Sequence, residues 1–342
     1  MFTTTLFTIF NTMKKITGFL ICLFVISTAC GKSDTGNSPG PAGPSNGLPD
    51  PPASVADCKK CIVLAEQAQA RIAIADVPSK KIIWEWKPET SVKSPDHVKW
   101  FSNPSDAKMV YNNQYVLMTA SGGGVALVRI ADKKAVFYAY VGGNTHSAEL
   151  LPDGNIVSAS STGNYLTLIT VDTLQFPEKV LTKNIPIDFG HNVVWDHKNQ
   201  LLWTAAGTEL KSFTYNVNCT QPDLTLTETI HLPGKEGHDL FPVYQENALW
   251  FTNTTNVYKF NIATRALAQA DIIQANIKSV SSGPDGFPVI VIKPKESWWT
   301  DEVVDAKGNS VFYQQGLKIY KARWVLPNNF SYPANHSMKQ CR

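Results

Sequence analysis

"THSAELLPDGNIVSASSTGNYLTLITVD", residues 145–172, contains one copy of the unit from which the chain is built. The turn LPDGN at 151–155 precedes a strand-like run at 156–160, and after STGN the stretch YLTLITV at 165–171 alternates apolar and polar residues. Period-two alternation between Gly- and Asn-bearing turns marks antiparallel hairpins. The unit recurs. Post-turn strands are expected at 62–66, 115–119, 201–205, 248–252 and 288–292, after CKKC, YNNQ, DHKNQ, YQENA and GPDGF, which with 156–160 makes six.

Further alternating strands are expected after each, at 71–76, 124–130, 165–171, 209–215, 256–262 and 317–323, and four units continue into a third at 81–86, 135–141, 179–185 and 227–232. No segment combines a helical period with caps. Counting back ten residues from the post-turn strands reaches His146, His191, His238 and Lys278, spaced 45, 47 and 40 residues apart; in the unit before them the same count reaches Ser105. A repeat of that length is one blade, so the expected class is all-β, a six-bladed β-propeller with four-stranded antiparallel blades. Two closures of the ring stay open: a last blade that borrows an N-terminal strand, or a complete first blade.

The domain organisation follows from composition. Residues 1–29, with a start expected at Met13, read as a signal peptide: Lys14 and Lys15, an apolar run from Ile16 to Ile26, then Ser27-Thr28-Ala29. Cys30 follows these small residues in a setting that resembles the bacterial lipobox, which implies lipidation of its thiol. Residues 30–52 continue as a Gly/Pro/Ser-rich tether that cannot bury a core, and 53–342 form the propeller. A lipid-anchored protein of the bacterial cell envelope is expected, periplasmic or exposed on the outer membrane.

Removing the two lysines lowers the formal charge from +3 to +1, and no basic run remains, so nucleic acid is excluded as a partner. Four cysteines persist after processing: Cys58, Cys61, Cys219 and Cys341. An exported chain can oxidise them. A structural disulfide is expected within the Cys58–Cys61 turn or from that turn to Cys341.

Phrases such as "LPDGNIVSASSTGNYLTLITVD" resemble the blades of WD-repeat proteins, although the second strands lack their Trp-Asp ending. The lipobox, tether and "HSAELLPDGN" blades together resemble a family of uncharacterised bacterial propeller lipoproteins, and that resemblance implies a fold and a compartment.

The first strand of a propeller blade lines the central channel, so the common offset places His146, His191, His238 and Lys278 around one rim. The stretch at 293–316 is expected as a long sixth-blade loop that brings Trp298 and Trp299 over the same mouth, and the loop with His97 and Trp100 joins that face. These aromatics and Lys278 are the expected substrate contacts. Three converging imidazoles could hold a divalent metal, Zn, Mn or Fe. Such a site is similar to that of metal-bearing propeller lyases of uronate-containing oligosaccharides, which implies a histidine base among His146, His191 and His238, with Lys278 facing the sugar carboxylate. The competing expectation is a glycan- or protein-binding propeller or scaffold whose histidines only lock neighbouring blades.

Overall fold

The strands of the computed structural model, which describes residues 49–272 and 275–340, fall into six antiparallel sheets of four, the blades of a propeller. Blade three shows how burial grades outward. Its innermost strand Thr145–Leu150 and second strand Ile156–Ser160 are wholly buried, whereas its outermost strand Thr182–Pro186 is almost entirely exposed. Inner strands are covered on both faces by neighbouring blades, so they need no polar face and lose the alternation that marks a half-buried strand. The core lies between blades: Val157, Leu166 and Leu168 of blade three pack with Val193, Trp195 and Leu202 of blade four.

Neither expected closure is the one observed. Blade one consists of Cys61–Glu66, Arg71–Asp76 and Lys81–Trp86, and its innermost strand is Ile319–Trp324 from the other end of the chain. The 317–323 stretch therefore belongs to blade one. Blade six is completed instead by Glu302–Asp305 and Ser310–Tyr313, which lie inside the 293–316 segment expected to be one long loop. Tyr313 consequently stands on an outer strand. These two strands are only four residues long, whereas LKIYKAR carries the stronger alternation; ring closure across the termini overrides it.

The closing strand also carries two charges into the channel. The Arg323 guanidinium donates to both carboxylate oxygens of Asp239 at 2.7 and 2.6 Å and to Asp106 at 3.3 Å. The Lys321 ammonium lies 3.3 Å from Asp239 and 3.7 Å from Asp106. Lys108 donates to Glu149 at 3.1 Å and to the Val193 carbonyl at 2.6 Å. All six groups are buried. Burial alone would raise the Asp106 and Asp239 carboxyls, but the surrounding Lys and Arg charges hold both below the usual range.

Beyond Trp324 the chain crosses the face where the innermost strands end. The Phe330 carbonyl accepts from the His197 N–H at 3.0 Å, and the Tyr332 hydroxyl donates to Glu149. His336 stacks on Tyr332 with centroids 4.9 Å apart and lies 4.6 Å from the Tyr111 ring. Gly154, at φ +92°, is the residue this strap requires in the LPDGN turn, because a Cβ there would meet the Lys339 carbonyl oxygen at 2.4 Å.

Cys58 and Cys61 form a disulfide with Cα atoms 5.9 Å apart, so neither reaches Cys341, which lies outside the described residues. The clasp is strand pairing, not a bond from this turn to the C-terminus. Cys219 is also disulfide-bonded. Cys30, the signal segment and most of the tether also fall outside the described residues, and no described helix is long and apolar enough to cross a membrane.

Removal of Arg323 leaves two buried carboxylates short of a partner. Arg323→Met is expected to lower stability by about 3–5 kcal/mol, read as a fall in the urea midpoint. An unchanged midpoint would show that Lys321 alone compensates both acids.

Candidate functional site

A register irregularity recurs at the start of the innermost strands. In blade one Ile319 faces Glu66 and Lys321 faces Ala65, leaving Tyr320 as the extra residue. Blade two repeats this at Ser105, between the Pro104–Ala120 and Asp106–Thr119 pairs, and blade three at His146, between Thr145–Ser160 and Ser147–Ala159. A bulge bends the strand and re-aims the side chain it isolates. His191 follows the Gly190–Ala206 bridge of blade four. His238 and Lys278 immediately precede the innermost strands Asp239–Pro242 and Ser279–Ser281, and their N–H groups bond Thr252 and Ile292 at 2.8 Å. One position per blade thus forms a rim of Tyr320, Ser105, His146, His191, His238 and Lys278.

The rings along this rim are in contact. His146 stacks on His191 with centroids 4.5 Å apart, His191 on His238 at 5.1 Å, and Tyr320 lies 5.5 Å from His146. Tyr320 reaches His146 across Ser105, whose hydroxyl is turned inward to the Thr145 carbonyl at 2.7 Å. His191 Nδ1 lies 3.2 Å from the Phe189 carbonyl and His238 Nδ1 lies 2.7 Å from the Glu236 carbonyl. A carbonyl only accepts, so both rings carry their proton on Nδ1 and present a bare Nε2 lone pair. His146 Nδ1 is buried with no hydrogen-bond partner among the described residues.

Electrostatics keeps the row uncharged. Burial, reinforced by the neighbouring imidazoles and lysines, pushes His146 well below the usual histidine range; burial and His238 bring His191 to about 3, and burial with Lys278 brings His238 to about 4. Burial lowers the Lys278 ammonium to about 8, with Lys321 adding to the fall and Glu236 opposing it. The three imidazoles stack face to face instead of pointing at a common centre. They are not among the described residues whose ligand atoms gather within 4.8 Å of one another, a grouping found only for Cys58, Cys61 and Asp76, where both thiols are consumed by the disulfide. A three-histidine metal centre draws no support from this geometry.

Of the remaining expected contacts, Trp298 and Trp299 lie beside the start of the closing strand, whereas the 97–100 segment shares the face but lies at the blade edge. Trp298 is 51% exposed and its Nε1 donates to the Gln67 side chain at 3.0 Å. Thr300 bridges Ile319, the residue before Tyr320, and Lys318 lies 4.4 Å from the Trp299 ring. His97 and Trp100 stack at 3.8 Å on the short 3₁₀ segment Pro95–Phe101; His97 Nδ1 lies 3.0 Å from the Tyr138 hydroxyl, on the outermost strand of blade two. They pack at the blade's periphery, away from the imidazole row. Glu149, the acid three residues past His146, sits deeper, between Lys108 and Tyr332. Tyr320 was not legible as a rim residue, because the count that finds its equivalents has to be carried round the ring from blade one to the C-terminal strand.

The architecture is similar to a protein of unknown function from Bacteroides caccae (14% identity over 78% of this chain and 98% of that one, TM-score 0.53). It is also similar to the β-propeller domain of Cps50 (Swd1) from Myceliophteria thermophila (12% identity, 76% and 87% covered, TM-score 0.50) and to a functionally unknown protein from Desulfotomaculum acetoxidans (13% identity, 77% and 80% covered, TM-score 0.50). At these identities the likeness is one of fold. None of the curated proteins matches the sequence. The sequence profile that does match spans residues 14–341, and on that match the chain belongs to the family of unknown function DUF6528.

Proposed function

We propose that the protein is an envelope-anchored binding propeller that holds a glycan at the histidine-lined mouth of its channel without cleaving it. The observation that carries this reading is the gathering at one mouth of polar groups that have no partner among the described residues: the Nε2 atoms of His191 and His238, the Tyr320 hydroxyl and the Lys278 ammonium. Buried polar groups are ordinarily paired within the fold, so such a set at one mouth is suited to groups from outside. Two lone pairs fixed by tautomer, one hydroxyl and one ammonium complement sugar hydroxyls, which both donate and accept. Trp298 adds an exposed ring at the same end for a sugar face to stack on. The strap over the far end of the channel leaves this as the mouth. A basic start, an apolar run and Cys30 support anchoring by lipid, with the Gly/Pro stretch as the spacer.

Cleavage by a histidine base is disfavoured on chemical grounds. A general base works best when its pKa lies near the operating pH. His191 at about 3 and His238 at about 4 remain unprotonated at neutral pH but are too weakly basic to drive proton abstraction.

Glycan-array binding should be retained by the wild type and reduced about tenfold or more in Trp298→Ala, one stacking contact being worth about 1–3 kcal/mol by analogy with base–aromatic stacking. Absorbance of an unsaturated uronate product after incubation with acidic polysaccharide would instead establish a lyase.

The imidazoles make a separate prediction. Their pKa values are lower in the folded than in the unfolded chain, so the unfolded state takes up more protons and stability falls as pH drops below about 6.5, the ordinary histidine value. The loss should continue toward pH 4 and 3 for His238 and His191. Proton NMR should show all three rings neutral at pH 5.5. A titration centred near 6.5 at any of them would restore it as a candidate base.

A further inference from the structure

Inside the channel each acid is paired with a base, and Lys278 is left over. Three buried cations, Lys108, Lys321 and Arg323, stand against three buried carboxylates, Glu149, Asp106 and Asp239, and each cation lies within 4 Å of at least one of them. Lys278 is also buried, at 7% exposed against 1–3% for those three, and has no ion pair or side-chain hydrogen bond among the described residues. The charged or titratable groups that act on it are Glu236, Lys321 and the imidazoles. Glu236 is exposed on the loop before His238 and forms no ion pair with it, Lys321 is engaged with Asp106 and Asp239, and the imidazoles carry no charge that could balance an ammonium. A buried cation without a counter-charge costs free energy that a well-packed protein avoids.

We infer that the ligand supplies the missing negative charge: the mouth recognises an acidic saccharide, whose anionic group pairs with Lys278 while its hydroxyls meet His191, His238 and Tyr320. This rests on the glycan-binding reading above and adds the charge of the ligand and the residue that reads it. The shared chemistry is a singly charged oxyanion on a sugar, a carboxylate or a sulfate ester. Both accept from an ammonium, and neither needs a cation to bridge it to the protein. The protonated lysine is the binding form, so affinity for the anion falls as pH rises through about 8. An anion beside the ammonium raises that value, so binding takes up protons between about pH 8 and the ordinary lysine range near 10.4.

The test is calorimetric titration of the full-length protein with glucose, glucuronate and glucose 6-sulfate, which differ only at the sixth carbon. The wild type should bind at least one of the two acids about tenfold or more tighter than glucose, in line with a charge-assisted hydrogen bond; which acid binds more tightly identifies the oxyanion. At pH 9, buffers of different ionisation enthalpy should reveal proton uptake. In Lys278→Met the preference for the acid should vanish, and the urea midpoint should stay level or rise, because a buried unpaired charge has been removed. Equal binding of glucose and both acids by the wild type would overturn the inference and leave glycan binding intact. No binding of any of the three would remove the support for both. A marked fall in stability of Lys278→Met would show that the ammonium already has a structural partner, and would also overturn the inference.

Discussion

Pairing of Ile319–Trp324 with Cys61–Glu66 is the interaction on which the rest of the structure depends. It joins the two ends of the described propeller in one sheet, and a ring of blades without such a closure would leave its first and last faces open to water. The same strand brings Lys321 and Arg323 to the channel axis, where their pairing with Asp106 and Asp239 ties blades one, two and five together through their centres. Closure and channel chemistry are therefore one event, and the residues after the strand continue directly into the strap that covers the far face.

From this arrangement the channel acquires two unlike ends. At one end Tyr332 and the segment around it close on Glu149. At the other, a position repeated once per blade displays Tyr320, three imidazoles and Lys278. Between them three acids and three bases occupy the axis in paired contacts. The neutral state of the imidazoles and the lowered pKa of Lys278 both follow from burial at this mouth: desolvation penalises every added charge, and around the row Lys278 and Lys321 outweigh Asp239.

Much of the fold was legible in the chain because third strands such as RIAIAD at 71–76 and YLTLI at 165–169 alternate visibly and the hairpins are separated by turns with special residues. LPDGN before Ile156 and GPDGF before Pro288 are examples. The innermost strands were not legible as strands. PSDAKMV at 104–110 and THSAEL at 145–150 are buried along their whole length, and their polar residues are hidden in the channel, so they show no alternation between core and solvent. Four rim residues were still found, because a hairpin register converts a fixed offset in sequence into a common height on the ring. His97 and Trp100 share the expected face, but their stacking on each other and on Tyr138 draws them to the blade edge.

The sequence by itself determined the blade, the number of blades and the height at which His146, His191, His238 and Lys278 stand, since these depend on contacts within about fifty residues along the chain. Only the tertiary structure decided which strand closes the ring, that Tyr320 joins the rim, and that among the described residues Lys278 is the buried channel cation without a carboxylate partner. Those facts depend on partners far apart in the chain, such as Arg323 and Asp106 at a separation of 217 residues. Local periodicity carries no information about such pairs; closing the ring is what brings them together.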